Sequence, residues 1–237
     1  RTNIEALIGV IAPGRDDLAG GVAITSILHT DEHSHVEPVR YAAGSGFFRA
    51  LSWPHAPGDN VAIRLGGTVR SLARHPGRWA RALTVRDFAK QSQILLYMRT
   101  LEGTLSFRLG RSLYTGFRRD LVSKLDPGTP PPSAFMKEAT DLAERWAAKV
   151  GGVAMTVLTE TLSGVPTTAH ILGGACMGKT AEEGVIDAQH RVHGYEGLYV
   201  IDGAAISANP GVNPSLSITA LAERAMSFVP RKGDAWS

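Results

Sequence analysis

The stretch HGYEGLYVIDGAAISANPGVNPSLSITALAER, residues 193–224, sets an apolar run, an Asp-Gly turn, a Pro-Gly pair and a helix start in close succession. Leu198 to Ile201 reads as a buried strand and Asp202-Gly203 as the turn that ends it. Asn213 reads as the N-cap of a helix, with Pro214 at the first helical position. Leu216, Ala220, Leu221, Ala225 and Phe228 recur at helical spacing, so the helix is expected to bury that stripe and hold its N-terminus in place. Such an N-terminus offers unpaired N–H groups and the positive end of the helix dipole, both of which favour negative charge on a ligand.

A second stretch, TTAHILGGACMG at 167–178, puts His170 just before the Gly173-Gly174 pair. Paired glycines let a backbone come close to another group, because they lack Cβ and tolerate positive φ. A histidine near an anion-favouring helix end can take a proton, and the Asn213 amide can orient a substrate.

Elsewhere the pattern is mixed. Val22 to Leu28 and Val36 to Tyr41 read as strands, and Gln93 to Met98 with Thr104 to Leu109 as a hairpin about Glu102-Gly103. Val61 to Arg74 and Ser133 to Lys149 read as helices. The second starts from Ser133 as N-cap and repeats Phe135, Ala139, Leu142, Ala143 and Trp146 at helical steps. The proline-rich run 126–132 is a rigid linker. Together these give an α+β fold, a mixed sheet flanked by helices.

With 237 residues and 43% hydrophobic composition the chain can bury a sizeable core, and one large domain is favoured. Nowhere do about 20 apolar residues run uninterrupted, which argues against a membrane span, and no stretch has the build of a signal peptide. Cys176 is the single cysteine, so an internal disulfide and a cysteine-built zinc cage are both excluded. The net charge is only +3, yet residues 64–119 hold eleven Arg and one Lys against Asp87 and Glu102.

Part of that charge lies on the helix at 61–74. A 100° step groups Val61, Leu65, Val69 and Leu72, places Arg70 and Arg74 opposite, and sets Arg64 to one side. The expected arrangement is an apolar face toward the core and a solvated arginine face, with peripheral docking on an anionic membrane as the second reading. Nucleic acid is not expected, since the basic run lacks interleaved aromatics and any helix-turn-helix or finger spacing.

Two tempting motifs fail. GSGFFR at 44–49 resembles a dinucleotide fingerprint but ends in Arg49, where a helix must pack closely on a strand. HTDEHSH at 29–35 has metal-ligating residue types, but it lies at a strand end before Glu37-Pro38 and reads as a polar turn, so no metal is expected.

AHILGGACMG, the 193–224 stretch and the opening RTNIEALIGV together resemble the carboxyl-terminal part of a glucose-methanol-choline (GMC) flavoprotein oxidoreductase, within its cholesterol oxidase-like branch. GVAITSILHTDEHSHVEPVRY and ILLYMRTLEG share the likeness, which is strongest from Thr167 to Met226. The resemblance implies a substrate-binding part over 1–165, with a mixed sheet, and an active-site loop plus a strand-helix segment over 166–237 that completes an FAD-binding domain. The family's amino-terminal Rossmann part has no counterpart here, so the chain, which starts at Arg1, is expected to be a fragment.

By the same resemblance, His170 matches the active-site histidine that handles the substrate hydroxyl proton. Asn213 matches the second active-site position. Asp202, Gly203, Asn213, Pro214 and Ser215 match the positions that touch FAD. Ile171 stands where many relatives have Pro, and the substrate-side carboxylate of steroid oxidases has no assigned position. The expectation is an FAD-dependent enzyme oxidising the CH–OH group of a hydrophobic, sterol-like alcohol. Its partners would be that alcohol and the missing amino-terminal part, and its location cytoplasmic or peripheral at a membrane. The competing expectation is a truncated, non-catalytic domain that binds lipid or a partner.

Overall fold

The structure, a computed structural model, describes residues 4–15, 17–100, 104–113, 115–129, 135–166, 168, 170–231 and 233. The chain divides into two compact units, one of residues 5–99 and 132–168, the other of 1–4, 100–131 and 169–237. Both helices and strands are present, as an α+β fold requires.

The first unit is built on a six-stranded sheet. Its strands are β1 (Ile4–Ile11), β2 (Leu28–Asp31), β3 (Ser34–Val39), β4 (Ser52–Pro54), β5 (Ser92–Arg99) and β8 (Val153–Val157), in the order β2-β3-β5-β1-β8-β4. In β1, Ala6, Ile8 and Val10 are sealed from solvent at alternate positions, the period of a strand with one face on a core. β5 is buried along most of both faces, as befits an inner strand. HTDEHSH forms the β2–β3 hairpin: His29 faces His35, and Asp31 accepts the His33 N–H at 2.7 Å. Only Glu32 and His33 form its turn; the rest of the expected polar turn is strand, with His35 buried.

The helices of this unit are α1 (Phe48–Leu51), α2 (Val61–Arg74), α3 (Pro76–Leu83), α4 (Lys137–Lys149) and α5 (Leu158–Ser163). α3 lays Trp79 and Ala82 on Ile11, Val153 and Met155 to form the core, with Val85 and Phe88 alongside. α4 buries mostly small residues, Ala139, Thr140, Ala143 and Ala147, while Trp146 reaches the surface. Its first helical residue is Lys137; the expected N-cap, Ser133, lies outside the described residues.

α2 has the expected span, capped by the Asn60 side chain accepting the Ile63 N–H at 3.0 Å. Its orientation overturns the expected one. The buried residues are Arg64 and Thr68, whereas Val61, Leu65, Val69 and Leu72 are exposed. The cause lies in α5, whose last turn has carbonyls without helical partners. Arg64 donates to Thr161 O at 2.6 Å, Leu162 O at 3.3 Å and Gly58 O at 2.9 Å, and stands 5.4 Å over the Phe135 ring. A cation at a helix C-terminus is favoured by the dipole, and Gly164, in left-handed conformation at φ 72°, leaves room for the guanidinium.

His55, just after β4, is buried between Thr140, whose Oγ1 lies 3.0 Å from Nε2, and the Phe135 ring at 5.6 Å. Burial pushes its pKa down from 6.5 to about 4. Since the unfolded chain takes up that proton first, stability is full above pH 6.5 and falls as the pH drops toward 4. The loss amounts to at most about 3 kcal/mol. Urea unfolding between pH 7 and 4 is expected to show this decline, and His55→Asn to flatten it; an unchanged slope in the variant would remove His55 as its source.

In the second unit, β6 (Leu105–Gly110) and β7 (Asp120–Leu125) form a two-stranded ribbon. The hairpin expected between 93–98 and 104–109 is absent: β5 pairs instead with β3, Ser34 opposite Arg99 through Val39 opposite Ile94. Closeness in sequence lost to the larger burial available to β5 inside the sheet. One ribbon face carries Leu105, Phe107 and Leu109 opposite Leu125, Ser123 and Leu121; Phe107, Leu109 and Leu121 are exposed.

Among the described residues the rest of this unit holds few regular elements, chiefly the helix α6 (Ser215–Met226). Leu198 to Ile201 is not the buried strand expected. Tyr199 makes a single bridge with Arg191, and Leu198 is exposed, because its neighbour is the irregular 190–192 segment and not a sheet. Among the described residues no helix is long and apolar enough to cross a membrane.

Candidate active site

The residues expected at the site all lie in the second unit. The segment after His170 is clamped by main-chain bonds, Gly173 N–H to Gly203 O at 3.0 Å and Ala175 N–H to Ala204 O at 3.0 Å. Gly173 and Gly174 take positive φ, 74° and 104°, so that the chain turns where a side chain would be strained. His170 itself is half-buried at the head of this clamp.

Asp202 opens a 3₁₀ turn (Gly203–Ala205) by accepting the Ala204 N–H at 2.9 Å, and its carboxylate is exposed. Gly203 is buried at the centre. A Cβ on it would stand 2.9 Å from Ile171 O, 3.4 Å from Leu172 Cδ2 and 3.5 Å from Ile218 Cδ1. The loop behind His170, the Asp202 turn and α6 therefore meet at one residue that must be glycine.

α6 begins one residue later than expected. Pro214, in helical conformation at φ −83° and ψ 0°, holds the N-cap position, and no side chain caps the helix there. Asn213 is thus the residue before the cap, half-buried. The buried stripe is rotated too. Ile218, Leu221, Ala222 and Ala225 turn inward, whereas Leu216 is 81% exposed, Phe228 is 43% exposed and Ala220 lies on the outer face. Contact with Gly203 sets this rotation, because Ile218 is the side chain that reaches it.

Gly211, at φ 66°, approaches Thr100 so closely that a Cβ would fall 2.2 Å from its Cγ2. Asn209 Oδ1 accepts the Gly211 N–H at 2.8 Å, shaping the turn that leads into Asn213. His170, Asp202, Gly203, Asn213, Pro214 and Ser215 are therefore presented by a single scaffold of turns fastened to one helix. The uncapped start of α6, with Ser215 and Leu216 exposed, suits an anionic group.

Two features of the sheet unit escaped the sequence. His35 and Glu37 form a buried pair, Nε2 to Oε1 at 3.4 Å, on β3. Burial lowers the His35 pKa, and Glu37 opposes that shift. Alternate positions on a strand share a face, so i, i+2 spacing was the available signal. The other feature is an apolar pocket of about 40 Å³ touched by Tyr41, Phe48, Phe88, Ile94 and Met155. Its volume is roughly that of one water molecule, so it does not enclose a drug-sized molecule.

A family profile described as GMC oxidoreductase matches residues 117–222. The chain is similar to a cholesterol oxidase of Acinetobacter baumannii, 40% identical over 233 residues that cover 98% of this chain and 41% of that protein. It is also similar to a cholesterol oxidase of Mycobacterium tuberculosis, 40% identical over 247 residues covering 99% and 41%. The crystal structure of pyridoxine 4-oxidase from Mesorbium loti aligns with 96% of this chain and 43% of its own, at 16% identity and a TM-score of 0.40, too slight a likeness to argue from. The chain spans about two fifths of the length of the curated relatives it matches.

Proposed function

We propose that the chain, whose residues 117–222 match the GMC oxidoreductase profile, is the carboxyl-terminal portion of an FAD-dependent enzyme of that family that oxidises the CH–OH group of a hydrophobic, sterol-like alcohol. The observation that carries the substrate class is 40% identity to cholesterol oxidases across 98–99% of this chain. What supports the cofactor is the uncapped N-terminus of α6 beside the Asp202 turn, a place for an anionic group held on a packed scaffold. FAD, when bound, supplies the hydride acceptor, and oxygen or another oxidant then takes the electrons.

The chain's own residues would act as follows. Asp202, Gly203, Pro214 and Ser215 would hold the cofactor with exposed turn and helix-start atoms, and the α6 dipole would favour negative charge there. His170 would accept the hydroxyl proton of the alcohol as its C–H bond is broken, or orient that hydroxyl. Asn213 would fix the substrate oxygen through its amide. Any insertion into a lipid surface would fall to the exposed apolar flank of α2.

The test is an absorbance spectrum of the full-length natural protein before and after anaerobic addition of cholesterol. Flavin bands that bleach are the expected result. Bands that bleach only with a different alcohol would remove the sterol; a colourless protein would remove the flavin.

A further inference from the structure

The two flanks of α2 have different surroundings. Its apolar flank is open, while Arg70, Ser71 and Arg74 line a cleft of about 580 Å³ within the first unit. A volume of roughly 300–1,000 Å³ is the usual range for small-molecule sites. Room is made by small residues, Gly67 on α2, Ala147 and Ala148 on α4, and Gly152.

The walls are strongly basic. Arg70, Arg74, His75 and Arg78 face the space against one carboxylate, Glu144. Arg70 and Arg74 are four residues apart on one helix, where like charges repel. Among the described residues no carboxylate lies in salt-bridge reach of Arg70, Arg74 or Arg78. A firm scaffold carries them. Trp79, buried, donates Nε1–H to Ser71 Oγ at 3.1 Å, which ties the start of α3, and with it Arg78, to α2.

We infer that this cleft is a binding site for a phosphate-bearing ligand, clasped by the guanidinium groups of Arg70, Arg74 and Arg78. Guanidinium groups match phosphate oxygens in pairs, and the ligand's charge relieves the repulsion between the arginines. The site is independent of the oxidoreductase reading.

Inorganic pyrophosphate is the probe, titrated calorimetrically into the full-length protein at low and at physiological salt. Saturable binding that weakens with salt is expected, with at least a tenfold loss in Arg70→Gln/Arg74→Gln/Arg78→Gln. Ala148→Glu, which adds an acid to the lining at an exposed position, should give the same loss without touching the arginines. Vesicles containing phosphatidic acid separate the sources. Capture that pyrophosphate displaces assigns the site to a lipid headgroup, and pyrophosphate binding without vesicle capture assigns it to a soluble phosphate. Absence of pyrophosphate binding at low salt, or equal binding by the parent and both variants, would overturn the proposal.

Discussion

Replacing His170 with alanine in the full-length protein is expected to lower kcat by roughly a hundred- to ten-thousand-fold, with flavin content and melting temperature unchanged. The segment behind His170 is fastened by the main-chain bonds of Gly173 and Ala175 to Gly203 and Ala204, and these do not involve the imidazole. The loss should therefore fall on chemistry and not on folding. A pH profile of kcat gives a second readout, since a proton acceptor leaves a limb that disappears in the variant. If His170→Ala retained parental kcat and the same profile, the role given to His170 would be wrong.

Arg64→Met carries the largest expected effect on stability. Arg64 is 4% exposed, and its guanidinium is held by three carbonyls and the Phe135 face. Methionine fills similar space but leaves those carbonyls without a donor. At about 1 kcal/mol each the cost is about 3 kcal/mol, or a fall of roughly 6–12 °C in melting temperature for a chain of this size. Arg64→Lys should recover part of it, because an ammonium can reach one carbonyl but cannot span α5 and Gly58 together. Thermal unfolding monitored by circular dichroism measures both; a Met variant as stable as the parent would show that the capping of α5 is not needed.

The same residue marks how far the sequence was legible. The ends of α2 could be read locally, from Asn60 before it and His75-Pro76 after it. Which face it buries could not, because the carbonyls that claim Arg64 lie 97 and 98 residues away. Hydrophobic periodicity predicts a stripe, and here a specific set of unpaired acceptors outweighed it. The pairing of β5 is hidden from the local sequence for a related reason. Its eight-residue apolar strand has more to gain inside the sheet than in a local hairpin, and nothing between residues 92 and 110 says so.

Around the candidate site, the turns and the helix start were legible only in part. Asn213-Pro214 signals a helix start, but a proline that itself adopts helical angles moves the cap forward by one residue. The α6 stripe turned because Ile218 reaches Gly203, a contact between segments that no helical wheel contains. His35 and Glu37 pair because alternate positions on β3 share one face, and both are buried there.

The place of β1 in the sheet has a consequence in time. It lies between β5 and β8, yet 142 residues separate Ile11 from its partner Val153. At a synthesis rate of about 5–20 residues per second, that strand waits roughly 7–28 s for its neighbour. During that wait IEALIGVI, an apolar segment with one acid, has an open edge of the kind that chaperones cover and aggregates extend. β1 is made before β5 and β8 and is flanked on both sides only when β8 arrives, so the yield of this protein in a cell should depend on who holds β1 meanwhile.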